Sequence, residues 1–242
     1  MADVDQKQLV ADLKLQRERL VSYLQGLPEA AWDKESLCEG WRVRDVVCHV
    51  VGNATDLAAQ NLQGVGTPEY NQRQVDERCD KSTGELFAEW DEQGPAYEAA
   101  ISALPKEVWE SPYEPWGTVG EALERMLEDI WVHTQDIRIP LGDGIEDGPG
   151  SSAAIHVSAF EIPVRAKEKG IALGSVHINV GDHDITVPVG EGPTVKITGD
   201  PSAYALVATG RMSIDEATGQ RKLSISPTPP AGFDKVLNIY AG

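Results

Sequence analysis

The sequence predicts an α+β protein of two domains, a four-helix bundle over residues 1–145 and a small α/β domain over residues 151–242. Three observations predict it. Apolar residues recur at helical spacing through the first half. Short β-branched or alternating stretches replace them after Gly148-Pro149-Gly150. The charge of −18 is uneven: residues 1–150 hold 13 basic and 30 acidic side chains, a net of −17, and the remainder holds 8 and 9.

In the first helix Leu9, Leu13, Leu20, Leu24 and Leu27 repeat at helical spacing, and Pro28 closes it. The second runs from about Arg42, with Val43, Val46, Val47, Val50, Ala54 and Leu57 in one stripe. The polar stretch Gly64 to Thr83 reads as a long loop, with or without a turn of helix. A third helix carries Phe87, Trp90, Tyr97, Ile101 and Leu104, and Gly94-Pro95 predicts a kink or break in it. The fourth starts near Val119, presents Leu123, Met126, Leu127, Ile130 and Ile137, and stops before Gly142-Asp143-Gly144. Gly148-Pro149-Gly150 reads as a linker.

Beyond it, strands are expected at Val176–Val180, Ile185–Val189 and Val195–Thr198, with Gly181-Asp182 as a hairpin turn. Asp200-Pro201 supplies a helix cap and a first-turn proline, Gly210 a stop, and Leu223–Ile225 one more strand.

Composition narrows the function. No apolar run is long enough to span a bilayer, and MADVDQKQLV lacks the basic start and apolar core of a signal peptide, so a cytoplasmic location is expected. Cys38, Cys48 and Cys79 form an odd set without a CxxC pair, which suits a reducing compartment. An acidic bundle repels phosphate backbones and anionic lipid, so neither nucleic acid nor membrane is an expected partner. Nucleotide-loop, nucleophile-elbow and cysteine-rich zinc patterns are absent.

The strongest chemical signal is Asp129-Ile130-Trp131-Val132-His133. Four residues on, a helix brings two side chains next to each other, so both can reach one ion. Both fall on the flank of the apolar stripe, where bundles build metal sites. His49 sits likewise beside the stripe of the second helix. Two imidazoles and a carboxylate suit zinc or another divalent first-row ion, with positions left open for a reactant. The competing reading of His49 is a partly buried histidine bonded to a backbone carbonyl. His156, His177 and His183 lack ligand spacing and read as surface or packing residues.

At these residues the sequence resembles a known family. Ser36-Leu37-Cys38-Glu39-Gly40-Trp41-Arg42-Val43-Arg44-Asp45-Val46-Val47-Cys48-His49 resembles the second-helix motif of the mycothiol-dependent maleylpyruvate isomerase family, within the DinB-like bundle superfamily. Trp116-Gly117 and Asp129-Ile130-Trp131-Val132-His133-Thr134-Gln135-Asp136-Ile137-Arg138 resemble its fourth-helix motif. The resemblance implies a DinB-like bundle with a metal on His49, Asp129 and His133, although the isomerase has glutamate where this chain has Asp129. It implies a sterol-carrier-like second domain through Thr198-Gly199-Asp200-Pro201 and Ala208-Thr209-Gly210-Arg211. Arg211 is then a candidate catalytic and cofactor-binding residue, reaching the cleft between domains.

The function so implied is a thiol-dependent isomerase or S-transferase. A metal, zinc by preference, would hold mycothiol as thiolate for addition to a small electrophile. The alternatives are a metal-dependent hydrolase or lyase, and a non-enzymatic protein that binds a small molecule. An open metal would favour an enzyme, and a closed apolar cavity the binding protein.

Overall fold

The computed structural model describes residues 4–241. The chain divides into two compact units, Val4–Gly150 and the residues from Ser151 onward.

The first unit contains α1 (Gln6–Gln25), α2 (Val43–Ala58), α3 (Pro68–Asp76), α4 (Thr83–Ser102), α5 (Lys106–Trp109) and α6 (Val119–Arg138). The four long helices α1, α2, α4 and α6 make the expected bundle. α2 packs on α4, α3 and α6, and α1 packs on α4 and α6. Their stripes close over Leu20, Leu24, Val46, Val50, Leu86 and Trp90, all nearly solvent-free, which is the main source of helix stability in a bundle. Side chains fix the helix starts. Thr118 accepts the Glu121 N–H and Glu121 accepts the Thr118 N–H, a reciprocal cap that begins α6. A buried Arg17–Glu98 pair at 2.8 Å ties α1 to α4. Its arginine lies against Gly94, where a Cβ would come within 2.6 Å of Arg17 Cδ.

One expectation fails in this unit, and one form of a second is excluded. The stretch 64–83 is not a loop, because α3 occupies nine residues of it. Thr67 accepts the Tyr70 N–H and Pro68 stands in the first turn, so local signals start this helix although its hydropathy pattern is weak. Of the kink or break expected at Gly94-Pro95, the break does not occur: α4 continues to Ser102 with Pro95 inside it. Pro95 and Asp91, whose carbonyl loses its helical partner, are both exposed, so water can satisfy that group.

The second unit contains α7 (Gly150–Glu168), β1 (Ser175–Val180), β2 (His183–Pro188), β3 (Thr194–Gly199), α8 (Pro201–Ala208), α9 (Ile214–Gly219), β4 (Leu223–Ser226) and α10 (Phe233–Leu237). The sheet order is β2-β1-β3-β4, with β1 and β3 parallel and the other pairs antiparallel. Val176, Ile178, Val180, Val195 and Ile197 alternate into the core. Gly181 makes the β1–β2 turn at φ +54°, and Asp200 caps α8 by accepting the Ala203 N–H at 2.8 Å.

α7 is a further departure from expectation: the supposed linker leads straight into a 19-residue helix. Ala153, Ala154, Ile155, Val157, Ala159 and Ile162 are buried around much of its circumference, which leaves little one-sided stripe to read. Its Arg165 donates to the carbonyls of Lys235, Ile239 and Ala241 and so holds the chain's last turn.

Candidate metal centre

His49 is carried by α2 and is almost fully buried, while Asp129 and His133 lie one turn apart on α6. One ligand atom from each, taken together, lie within 4.8 Å of one another. Asp129 Oδ1 is 3.5 Å from His133 Nε2, and Asp129 Oδ2 is 3.9 Å from His49 Nε2. A tetrahedral ion with bonds of about 2.1 Å needs ligand atoms about 3.4 Å apart, so small side-chain adjustments suffice. The imidazoles meet edge to face, with centroids 4.9 Å apart.

What lies behind the imidazoles argues further for this fit. His49 Nδ1 is 2.8 Å from Gln74 Oε1, and His133 Nδ1 is 2.9 Å from Asp136 Oδ2. Each acceptor calls for a proton on Nδ1, which leaves the Nε2 lone pairs for the shared point. His49 is more deeply buried than the competing reading had it, and its acceptor is a side chain rather than a backbone carbonyl. Gln74 is held in turn, donating to Asp56 at 2.7 Å and to Asn53 at 3.0 Å, while Arg73 secures Asp56 at 2.7 Å. Asn53 Nδ2 donates to Asp129 Oδ2 at 2.9 Å and faces His49 Nε2 at 3.3 Å.

Burial alone would raise the Asp129 carboxyl and lower the His133 imidazole. The opposing charge between them, with the nearness of both imidazoles to Asp129 and the contacts of His133 with Asp136 and Cys38, outweighs it. Without metal, Asp129 is therefore held well below the usual carboxylate range and His133 well above its ordinary value.

Cys38 also reaches this region. Its thiol donates to Asp136 Oδ2 at 3.1 Å and lies 3.6 Å from His133 Nδ1, so Cys38, His133 and Asp136 form a second group with ligand atoms close together. This group uses the opposite ring nitrogen of His133. Sequence reasoning did not select Gln74, Asn53, Asp136 or Cys38. Asn53 and Asp136 lie one helical turn from His49 and His133, a spacing that could have found them. Gln74 lay in the stretch read as a loop.

The sequence model described as mycothiol maleylpyruvate isomerase N-terminal domain matches residues 13–138. The chain belongs to that family. The match spans α1 to α6 and so contains the whole of this site. No curated protein sequence matches the chain. Two solved structures resemble it in fold, the mycothiol-dependent maleylpyruvate isomerase and a histidine-to-alanine mutant of that enzyme. They are 19% and 18% identical, each with a TM-score of 0.65, covering 94% of this chain and 97% of that one. Their likeness in fold continues through the residues beyond 138.

Arg211 belongs to that second unit. It follows α8 and the positive-φ Gly210, donates to the Thr209 carbonyl, and lies over the Tyr240 ring at 4.9 Å.

Proposed function

We propose that this protein is a metal-dependent, thiol-dependent enzyme that adds a low-molecular-weight thiol to a small electrophile, as an isomerase or an S-transferase. The observation that carries the proposal is the convergence of His49 Nε2, Asp129 and His133 Nε2, each imidazole steered from behind by its own acceptor. Membership of the family supports mycothiol as the thiol, and the mycothiol-dependent isomerase of the same fold supports the isomerase form. Three protein ligands and an oxygen–nitrogen donor set favour zinc over a harder ion. The Cys38 group is less suited, since it would require Asp136 to give up its contact with the His133 N–H.

A bound divalent ion would supply Lewis acidity, holding a thiol sulfur as thiolate at neutral pH. The protein's own groups do the rest. Gln74 and Asp136 hold the two imidazoles in one tautomer, and Asn53 fixes the Asp129 carboxylate. Arg211 is proposed to bind an anionic group of the thiol or substrate. Among the described residues no helix is long and apolar enough to cross a membrane, and a cytoplasmic location is part of the proposal.

The test is metal content by plasma mass spectrometry together with calorimetric titration of mycothiol. Near-stoichiometric zinc and zinc-dependent mycothiol binding are expected, both lost in His49→Ala with the helical signal retained. Metal without thiol binding would turn the reading to metal-assisted hydrolysis, and absence of metal would end it.

A further inference from the structure

Asn53 lies one helical turn beyond His49 on α2 and is half-buried beside the candidate centre. Its amide reaches two of the three convergent groups. Nδ2 is 2.9 Å from Asp129 Oδ2 and 3.3 Å from His49 Nε2. The neighbours fix which end of this amide points where. An ionised carboxylate only accepts, so Asp129 requires the nitrogen on its side. The far end of the network gives the same result. Asp56, paired with Arg73 at 2.7 Å, only accepts, so the Gln74 atom 2.7 Å from it is the amide nitrogen. That nitrogen also donates to Asn53 Oδ1 at 3.0 Å, which leaves Asn53 Nδ2 for the ligands. A turned amide would set nitrogen against nitrogen at Gln74 and oxygen against oxygen at Asp129. Asn53 is held as a donor, not as a ligand oxygen.

Without metal the amide nitrogen serves both of those neighbours. It meets an Asp129 oxygen and the His49 Nε2 lone pair, since the His49 Nδ1 proton belongs to Gln74 Oε1. An ion held by His49 takes that lone pair, and the N–H that faced it loses its acceptor. A donor displaced in this way turns to the exogenous group that completes the ion's coordination. A negatively charged acceptor there makes the stronger bond.

We infer that Asn53 donates a hydrogen bond to the exogenous group bound beside the ion, which in the proposed reaction is the thiol sulfur. The bond stabilises negative charge on sulfur without adding a charge to the site. Gln74 and Asp129 orient the carboxamide before any ligand arrives, so little reorganisation is needed when it binds. The inference rests on the reading of His49, Asp129 and His133 as the ligands. It is separable from the thiol chemistry, because any anion beside the ion would accept the same bond.

The experiment loads the full chain with cobalt in place of zinc and titrates it, at metal saturation, with mycothiol and separately with azide. Saturation removes any effect of Asn53 on metal affinity, which is all that a merely structural role would change. With mycothiol the parent chain should show a thiolate-to-cobalt absorption band. In Asn53→Ala the affinity for both ligands should fall about tenfold or more, as expected for a lost bond to a charged acceptor. The band should also move to lower energy, because sulfur freed of the hydrogen bond gives up electron density more readily. Asn53→Leu serves if Asn53→Ala does not take up cobalt. Unchanged affinities and band energy in the variant overturn the donor and leave the thiol reading standing. Azide binding that depends on Asn53, with no mycothiol binding, upholds the donor and overturns the thiol reading. A parent chain that takes up no cobalt overturns both.

Discussion

Gln74 Oε1 stands 2.8 Å from His49 Nδ1, and it can do so because residue 52 on α2 is glycine. A Cβ at Gly52 would lie 2.6 Å from Gln74 Cβ and 2.8 Å from its Cγ. The missing side chain lets the Gln74 chain lie over α2, and that approach brings the amide to the imidazole. From Arg73 and Asp56 through Gln74 to His49, one hydrogen-bonded chain sets the ring's orientation.

Gly52→Ala tests the approach. The Gln74 contacts are with the base of its side chain, so neither side can yield by a rotamer change alone, and α3 must shift. We expect a loss of about 1–3 kcal/mol in unfolding free energy from overpacking, read from urea denaturation. Zinc affinity should fall with it. A variant as stable as the parent with unchanged affinity would show that the close approach is immaterial.

Gln74→Leu removes the acceptor but keeps most of the volume. Removal of a partner behind a ligand typically costs about 10–100-fold in metal affinity, so zinc competition with a chromogenic chelator should show a loss in that range. Gln74→Glu keeps an acceptor for the His49 N–H and should retain more affinity than Gln74→Leu. Equal affinities in the two variants would argue against the role.

Protons respond to metal in a defined direction. Without metal, Asp129 and Asp136 raise His133 well above 6.5 against the opposing effect of burial, which favours its charged form. A ligand imidazole must be neutral, so zinc uptake should release protons, measured by calorimetry in buffers of different ionisation enthalpy. In the metal-free chain the raised His133 contributes stability that is full below its unfolded value of about 6.5 and is lost as pH rises through the folded value. The lowered Asp129 contributes stability present above its unfolded value of about 3.9 and lost as pH falls through the folded one. The pair therefore stabilises most between those unfolded values, and Asp129→Asn should flatten urea midpoints measured across the range.

The cysteines should separate in a native labelling experiment. Cys79 is exposed, whereas Cys48 is fully buried, and burial with the nearby Asp45 charge pushes its thiol up to about 12. A maleimide should modify Cys79 within minutes at pH 7 and Cys48 only after unfolding. Early modification of Cys48, located by peptide mapping, would contradict the packing of α2.

Relations inside one helix could be read from the sequence, because helical pitch fixes them. Asp129 and His133 stand four residues apart and meet, and the apolar stripes of α1, α2 and α6 mark the buried faces. The turn at Gly181 and the cap at Asp200 depend on residues adjacent in the chain, and these too were legible. α3 and α7 were not, the first because it is short and polar, the second because it is buried around too much of its circumference for a one-sided stripe. Pro95 misled because its local cost is real, but it falls on an exposed face of a helix that packing holds together.

What only the tertiary structure decided is how side chains on different helices come to share a point. His49 is separated from Asp129 by 80 residues of sequence, and Cys38, in the loop before α2, from Asp136 by 98. Their distances depend on how closely α2, α3 and α6 approach, which small residues such as Gly52 control. Helix geometry fixes neighbours one turn apart, whereas neighbours across a bundle exist only once its core has closed.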